Sequence, residues 1–369
     1  MSTENTIPPT QTTGSPADLQ ACVALMQGGS RTFFAASRLL PPRVRAAAIA
    51  LYAFCRVADD LVDEAAPGDE QPLHTLRSRL DRLYAGIPAD HVEDHALSMV
   101  VQHYSLPRHL LDALIEGFAW DAQGHRYDTL EDVQAYGARV AGSVGAMMCW
   151  IMGPRDPATL ARACELGVAM QLTNIARDVG ADAQLGRLYL PRQWLLEAGL
   201  QPDGWLANPV YDPALGDVIE RLLQAADQLY RRGQSGIAAL PPDCRAAILA
   251  ASLIYSEIGV QLRREGLDSV SHRTVVSTGR KLVLLAAAWT QSHFIYMPAR
   301  SEAPLPAIEG LVQGCCEAKN PSPLQAAAAW FPNRAMPQRV AWMLELFERR
   351  EHERLGRRQQ ARKPLSGAG

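Results

Sequence analysis

The chain has 369 residues, 48% of them apolar, enough for one large domain or two ordinary ones around a sizeable core. Its net charge is −3 and its pI about 6.3, which argues against a nucleic-acid-binding protein. Seven scattered cysteines contain no Cys-x-x-Cys pair, so no zinc or redox motif is present, and buried thiols in a reducing cytoplasm account for them.

Residues 1–16 form a polar arm rich in Thr, Pro and Ser, without the basic and apolar regions of a signal peptide, and 1–14 are expected to be disordered. Ser15-Pro16 is a helix start, and a first helix is predicted over 17–27, broken by Gly28-Gly29. Pro41-Pro42 leads into a long helix over 43–64, ended by Pro67 and Gly68. Shorter helices follow at 72–86 and 91–103. Pro107 opens another that ends near Trp120-Asp121. Thr129 with Asp132 makes a box-like cap for a helix running to Met152. That helix carries Val140-Ala-Gly-Ser-Val-Gly145, small residues that serve either close helix packing or room for a ligand. Asp156-Pro157 starts a further alanine-rich helix, followed by a loop over 183–190 closed by Pro191. Helices are predicted at 213–238, 242–265 and 275–296. Strand signals are nearly absent, so the fold class is all-α. The helical domain is placed at 17–298. A Pro/Ala-rich segment and a basic helical tail fill 299–369, with one helix over 337–353. The longest apolar run near the C-terminus, Leu282–Trp289, is too short to span a bilayer.

Two stretches carry chemistry. In 171–182, Asp178 and Asp182 stand four apart, with Asn174 four residues earlier and Arg177 alongside. In 52–64, Asp59 and Asp63 repeat that spacing, with Arg56 three residues before Asp59. On a helix such carboxylates leave one face about a turn apart, where like charges destabilise a bare helix. A divalent cation is the simplest compensation. Oxygen ligands suit magnesium, which keeps waters and shares phosphate oxygens with a substrate, and arginines suit the phosphate itself. A solvated acidic helix face is the bland alternative. The apolar neighbours of both pairs, Phe54, Val57 and Leu61 in one and Leu172 and Ile175 in the other, weigh against it.

These stretches resemble the signature motifs of the squalene/phytoene synthase family. So, in the family's order and at about its spacing, do Ser30-Arg31-Thr32-Phe33, Leu51-Tyr52-Ala53-Phe54-Cys55-Arg56, Glu116–Asp121, Val140–Gly145, Gly186–Pro191, Tyr255, Ser271-His272-Arg273 and Lys281. The resemblance covers roughly residues 19–297, and the wording of the motifs is most similar to the phytoene synthases of purple photosynthetic bacteria. It implies one isoprenoid (prenyl) synthase domain with a central cavity, in which two geranylgeranyl diphosphates are joined head to head. The reaction passes through a cyclopropylcarbinyl diphosphate to phytoene, the first committed step of carotenoid biosynthesis. No reduction occurs, so no NADPH is expected.

The resemblance also implies roles. Mg2+, with Mn2+ as a substitute, would be held by Asp59, Asp63, Asn174, Asp178 and Asp182. Ser30, Arg31, Thr32, Arg56, Arg177 and Arg273 would bind diphosphate, although lysine is frequent at the position of Arg31 and guanidinium geometry differs. Phe33, Tyr52, Tyr136 and Tyr255 would wall off the carbocation, with Val140 and Gln171 also lining the substrate site; aromatic faces stabilise cations by about 0.5–2 kcal/mol each. The final proton has no obvious acceptor: His272 reads as a surface residue, and the released diphosphate or Asp121 remain open. The competing readings are a fifteen-carbon sibling making squalene or dehydrosqualene from farnesyl diphosphate and, disfavoured by the intact aspartates, a non-catalytic family member. A water-insoluble product implies a cytoplasmic enzyme held peripherally at a membrane surface, passing product to a phytoene desaturase.

Overall fold

Long runs of Ala, Leu and Arg build helices here and little else. The computed structural model describes residues 15–29, 31–66, 68–294 and 302–318, and these contain fifteen α-helices and no strand. In chain order they are α1 (Pro16–Gly29), α2 (Arg31–Ser37), α3 (Pro42–Asp63), α4 (Gln71–Tyr84), α5 (Val92–Tyr104), α6 (Arg108–Ala122), α7 (Leu130–Gly137), α8 (Ser143–Met152) and α9 (Pro157–Gln184). After them come α10 (Arg192–Glu197), α11 (Pro202–Ala207), α12 (Pro213–Ser235), α13 (Pro242–Arg264), α14 (Thr278–Ser292) and α15 (Glu309–Glu317).

The starts follow local chemistry. Prolines occupy the first turn of α3, α9, α12 and α13, where the missing N–H costs nothing. Asp156 accepts from the Thr159 N–H at 2.9 Å to cap α9, and Ser277 caps α14 by accepting from the Arg280 N–H. Thr129 and Asp132 form the expected reciprocal capping box of α7.

Helices α3, α8, α9, α12 and α13 contribute to the wall of a central cavity, and α9 packs against α8, α12 and α13. Small residues bring α8 and α9 together. A Cβ on Gly145 would lie 2.2 Å from the Ala163 carbonyl oxygen, and one on Gly167 would lie 2.2 Å from that of Ala141. The same stretch lines the cavity through Val140, Val144 and Gly145, so the small residues serve both purposes left open by the sequence. Between α7 and α8, residues 138–142 widen into a π-turn, where a plain helix was expected.

Other departures have local causes. The first helix continues through Gly28 and Gly29, and at Gly29 a Cβ would meet the Tyr52 hydroxyl at 2.4 Å, so glycine there admits Tyr52. Residues 31–37 form a helix of their own, and α10 and α11 occupy a region left without elements. The segment 302–318, which carried no pattern, packs on the body of the fold. Its anchor is the fully buried Glu165, which takes Arg232 at 2.5 Å, Arg162 at 3.1 Å and the Leu305 N–H at 3.1 Å. The expected disorder of 1–14 and the expected helix over 337–353 lie outside the described residues. All seven cysteines are free; five are buried, Cys55 is half-buried and Cys316 is exposed.

Candidate active site

The cavity has a volume of about 340 Å³ and an almost wholly apolar wall. Several of its polar residues gather at the end where α3 and α9 finish. Gln171, Asn174, Tyr52, Cys55, Phe33 and Tyr255 line that end, beside both aspartate motifs. Phe33 packs against Tyr255 with ring centroids 5.3 Å apart and against Tyr52 at 6.1 Å. Burial pushes the Tyr255 phenol up to about 12, so it is a neutral aromatic wall at any working pH.

On α3, Arg56 pairs with Asp60 at 2.5 Å and with Asp59 at 3.6 Å. Burial and the neighbouring Asp63 push the Asp59 carboxyl up to about 6. Asp63, at the end of the helix, accepts from Arg187 at 2.6 Å. Arg187 comes from the turn after α9, so a single ion pair ties the first motif to the segment following the second.

On α9, straight-helix geometry ends at Asp178, whose backbone lies at φ −108°, ψ 15°. The cause is close by. The Gly180 N–H donates to the Ser269 carbonyl at 3.0 Å instead of continuing the helical ladder. A Cβ at Gly180 would stand 2.3 Å from the Val270 carbonyl oxygen, so only glycine admits the α13–α14 loop here. That loop delivers Arg273, which forks onto Asp178 at 2.6 and 3.1 Å, opposite Arg177 at 2.5 and 2.8 Å. Burial pushes the Asp178 carboxyl up, but the two guanidinium groups outweigh it and leave it below its ordinary value. At Asp182 the balance is reversed: burial and the nearby Asp178 outweigh Arg187 and Arg177 and raise it to about 7.

Asp121, at the end of α6, sits between the motifs. Its charge raises both Asp59 and Asp182, and it accepts hydrogen bonds from Tyr136 and Tyr189, each at 2.7 Å. Tyr136 is therefore no wall of the cavity, as the sequence suggested. It is buried behind the acids and stacked on Tyr189 with centroids 5.0 Å apart. The sequence named Asp121 only in passing and gave Arg187 and Tyr189 no role; their signal was a position within seven residues of Asp182.

The remaining expectations fall as follows. Val140, Gln171 and Asn174 line the cavity. Arg31 and Thr32 open α2, but their side chains, and the whole of Ser30, lie outside the described residues. His272 is half exposed and 3.5 Å from Glu265, in keeping with a surface role. Among the described residues no three His, Cys, Asp or Glu side chains converge as a protein-only metal cage.

Such an arrangement defines a class. An all-α shell around a deep apolar cavity, with carboxylates and guanidinium groups gathered at its mouth, is built for substrates with a long hydrocarbon tail and an anionic head. The sequence profile of the squalene/phytoene synthase family matches residues 26–281, and the chain belongs to that family. A phytoene synthase of Rhodobacter capsulatus is 52% identical over 272 residues, 73% of this chain and 80% of that protein. One from Cereibacter sphaeroides is 51% identical over 285 residues, 75% of this chain and 80% of that protein. A 15-cis-phytoene synthase of a Paracoccus species is 43% identical over 265 residues, 70% and 86% of the two chains. Among solved structures, a dehydrosqualene synthase superposes with a TM-score of 0.69 at 30% identity, over 76% of this chain and all of the other.

Proposed function

We propose that the protein is a prenyltransferase that joins two geranylgeranyl diphosphates head to head, through a cyclopropylcarbinyl diphosphate, to give 15-cis-phytoene and diphosphate. The observation that carries the choice of product is the 43–52% identity to curated phytoene synthases over most of the chain. The solved relative that makes a fifteen-carbon-derived product is more distant, at 30%.

The donor set at the mouth fits magnesium. All its atoms are oxygens, two of its carboxylates are raised by burial and mutual repulsion, and the Asn174 Oδ1 is buried without a hydrogen-bond partner. The lack of a protein-only cage suits an ion that completes its octahedron with water and substrate phosphate. Asp59, Asp63, Asp178, Asp182 and Asn174 would hold it. Bound there, magnesium would act as a Lewis acid and neutralise the departing diphosphate. Arg56, Arg177 and Arg273, already converging on the carboxylates, neutralise the remaining phosphate oxygens. Ser30, Arg31 and Thr32 complete the diphosphate site. Phe33, Tyr52 and Tyr255 keep water from the cation and offer it their ring faces. Tyr136 and Tyr189 hold Asp121 in place.

A hydrocarbon product makes a membrane surface the natural working place of a cytoplasmic enzyme, with a desaturase as recipient. No described helix is long and apolar enough to cross a membrane, so attachment would be peripheral. Release that is unaffected by lipid vesicles would count against it.

The test is a product assay with magnesium and detergent, without a nicotinamide cofactor. Geranylgeranyl diphosphate should yield a forty-carbon triene. Asp59→Ala and Asp178→Ala should each lower turnover at least ~10²-fold, the scale of losing one preorganised charge-stabilising group. Product from farnesyl diphosphate alone would replace the substrate and keep the chemistry.

A further inference from the structure

The cavity is graduated along one helix. From the mouth inward, α9 contributes Asn174, Met170, Gly167, Ala163 and Thr159 to its wall. These are spaced by three or four residues, so they form one stripe, each about a turn (~5.4 Å) below the last. An isoprene unit, four carbons of main chain, is about as long as one such turn, ~5 Å. Starting at Asn174 beside the diphosphate machinery, three units end near Ala163 and a fourth occupies the turn between Ala163 and Thr159.

That last turn is kept open by small residues. Ala163 is partly exposed although Arg162 and Cys164 on either side are buried, which leaves the cavity as what it faces. Across from it, Gly145 has no side chain to offer, and a Cβ there would meet the Ala163 carbonyl oxygen at 2.2 Å. Gly233 and Gly236 border the same level, at positions where a Cβ would run into Leu166 and Arg162 at 2.8 and 2.5 Å. On the same turns of α9, Arg162 and Glu165 are fully buried and paired with each other, and Glu165 also pairs with Arg232, so this stretch of the helix cannot yield without exposing unpaired charge. Along α9, the depth left open is therefore set by side-chain size at Ala163.

We infer that Ala163 sets the length of prenyl chain the enzyme accepts, by leaving free the final turn of the cavity for the fourth isoprene unit. This rests on the reading of the protein as a prenyl diphosphate synthase. Ala163 is a specificity-determining residue and takes no part in the chemistry at the mouth, about three turns away.

The experiment is a competition between farnesyl and geranylgeranyl diphosphates, with product lengths read by chromatography. The wild type is assayed first: failure to make a forty-carbon product sinks the proposed function itself and is thus separable. Given that product, Ala163→Leu and Ala163→Phe should shift the ratio of kcat/KM for the two substrates towards farnesyl diphosphate by about tenfold or more, in order of side-chain size, with a thirty-carbon product emerging. Thr159→Leu, one turn deeper, should shift it less. Leucine is the variant that secures the test should phenylalanine prevent folding, as judged by the melting transition. Folded variants with an unchanged substrate ratio, or an equal loss on both substrates, would overturn the inference.

Discussion

Asp59 and Asp182 carry the pH behaviour of the site. Their carboxyls stand at about 6 and about 7, raised above the ordinary 3.8 by burial first and by neighbouring carboxylates second. In the metal-free protein the native state keeps these protons while the unfolded chain has released them. The two groups therefore favour folding most below about pH 4, and that contribution is lost as pH rises through 6 and 7. Magnesium requires both deprotonated, so its stabilising effect runs the opposite way, small at pH 5.5 and complete above about 7.5. Melting temperatures with and without magnesium, measured across pH 5.5–8, should diverge as pH rises. Asp182→Asn should flatten that divergence; a magnesium shift independent of pH would contradict the assignment. Arg187 is the other decisive side chain, held on Asp63 at 2.6 Å while also lowering the carboxyl of Asp182. A four-residue acidic spacing is visible in any sequence, but an arginine 124 positions away from its partner is not.

The element that decides the geometry is the kinked end of α9. Gly180 gives up its helical hydrogen bond and admits the 267–276 loop, and that loop brings Arg273 to Asp178. Gly180→Ala would improve helix propensity by about 0.8–1 kcal/mol in an isolated helix. Here it should do the reverse, because the added methyl meets the Val270 carbonyl at 2.3 Å. We expect loop displacement, loss of the Arg273–Asp178 fork and an increase in KM for the diphosphate substrate with a smaller change in melting temperature. An unchanged KM would show that the loop tolerates the methyl group. A glycine in an alanine-rich helix reads from sequence as a weak spot; its purpose depends on a loop ninety residues downstream.

At the scale of the whole molecule, the segment 302–318 is part of the folded body and is fastened by buried charge. Glu165 is the only acid within the fully buried part of that cluster, facing Arg162 and Arg232. Removing it leaves the fully buried Arg162 guanidinium without its carboxylate and facing the half-buried Arg232, so Glu165→Ala should cost roughly 3–5 kcal/mol. For a chain of this size that is a fall of several degrees in melting temperature, read by calorimetry with and without detergent. A change within one degree would mean that the anchor is already wet. Arg162 and Glu165 share turns of α9 with the cavity-lining Ala163 and Leu166, so the same change should disturb long substrates before short ones.

The sequence by itself determined a good deal. Helical periodicity, caps at Thr129 and Asp156, and prolines at helix starts placed most elements to within a few residues, because these signals are local and act within a turn or two. The two aspartate stretches and the small-residue run at 140–145 pointed to the site for the same reason: each is a pattern along one helix. Only the tertiary structure decided how those helices meet. It moved Tyr136 from the cavity wall to a support for Asp121, joined Asp63 to Arg187, kinked α9 at Asp178 and docked a segment that has no periodicity of its own. Each of these is a contact between residues on different elements, in which a polar group finds its partner. Local propensity does not encode such pairs; close packing and the cost of leaving a buried charge or donor unpaired enforce them.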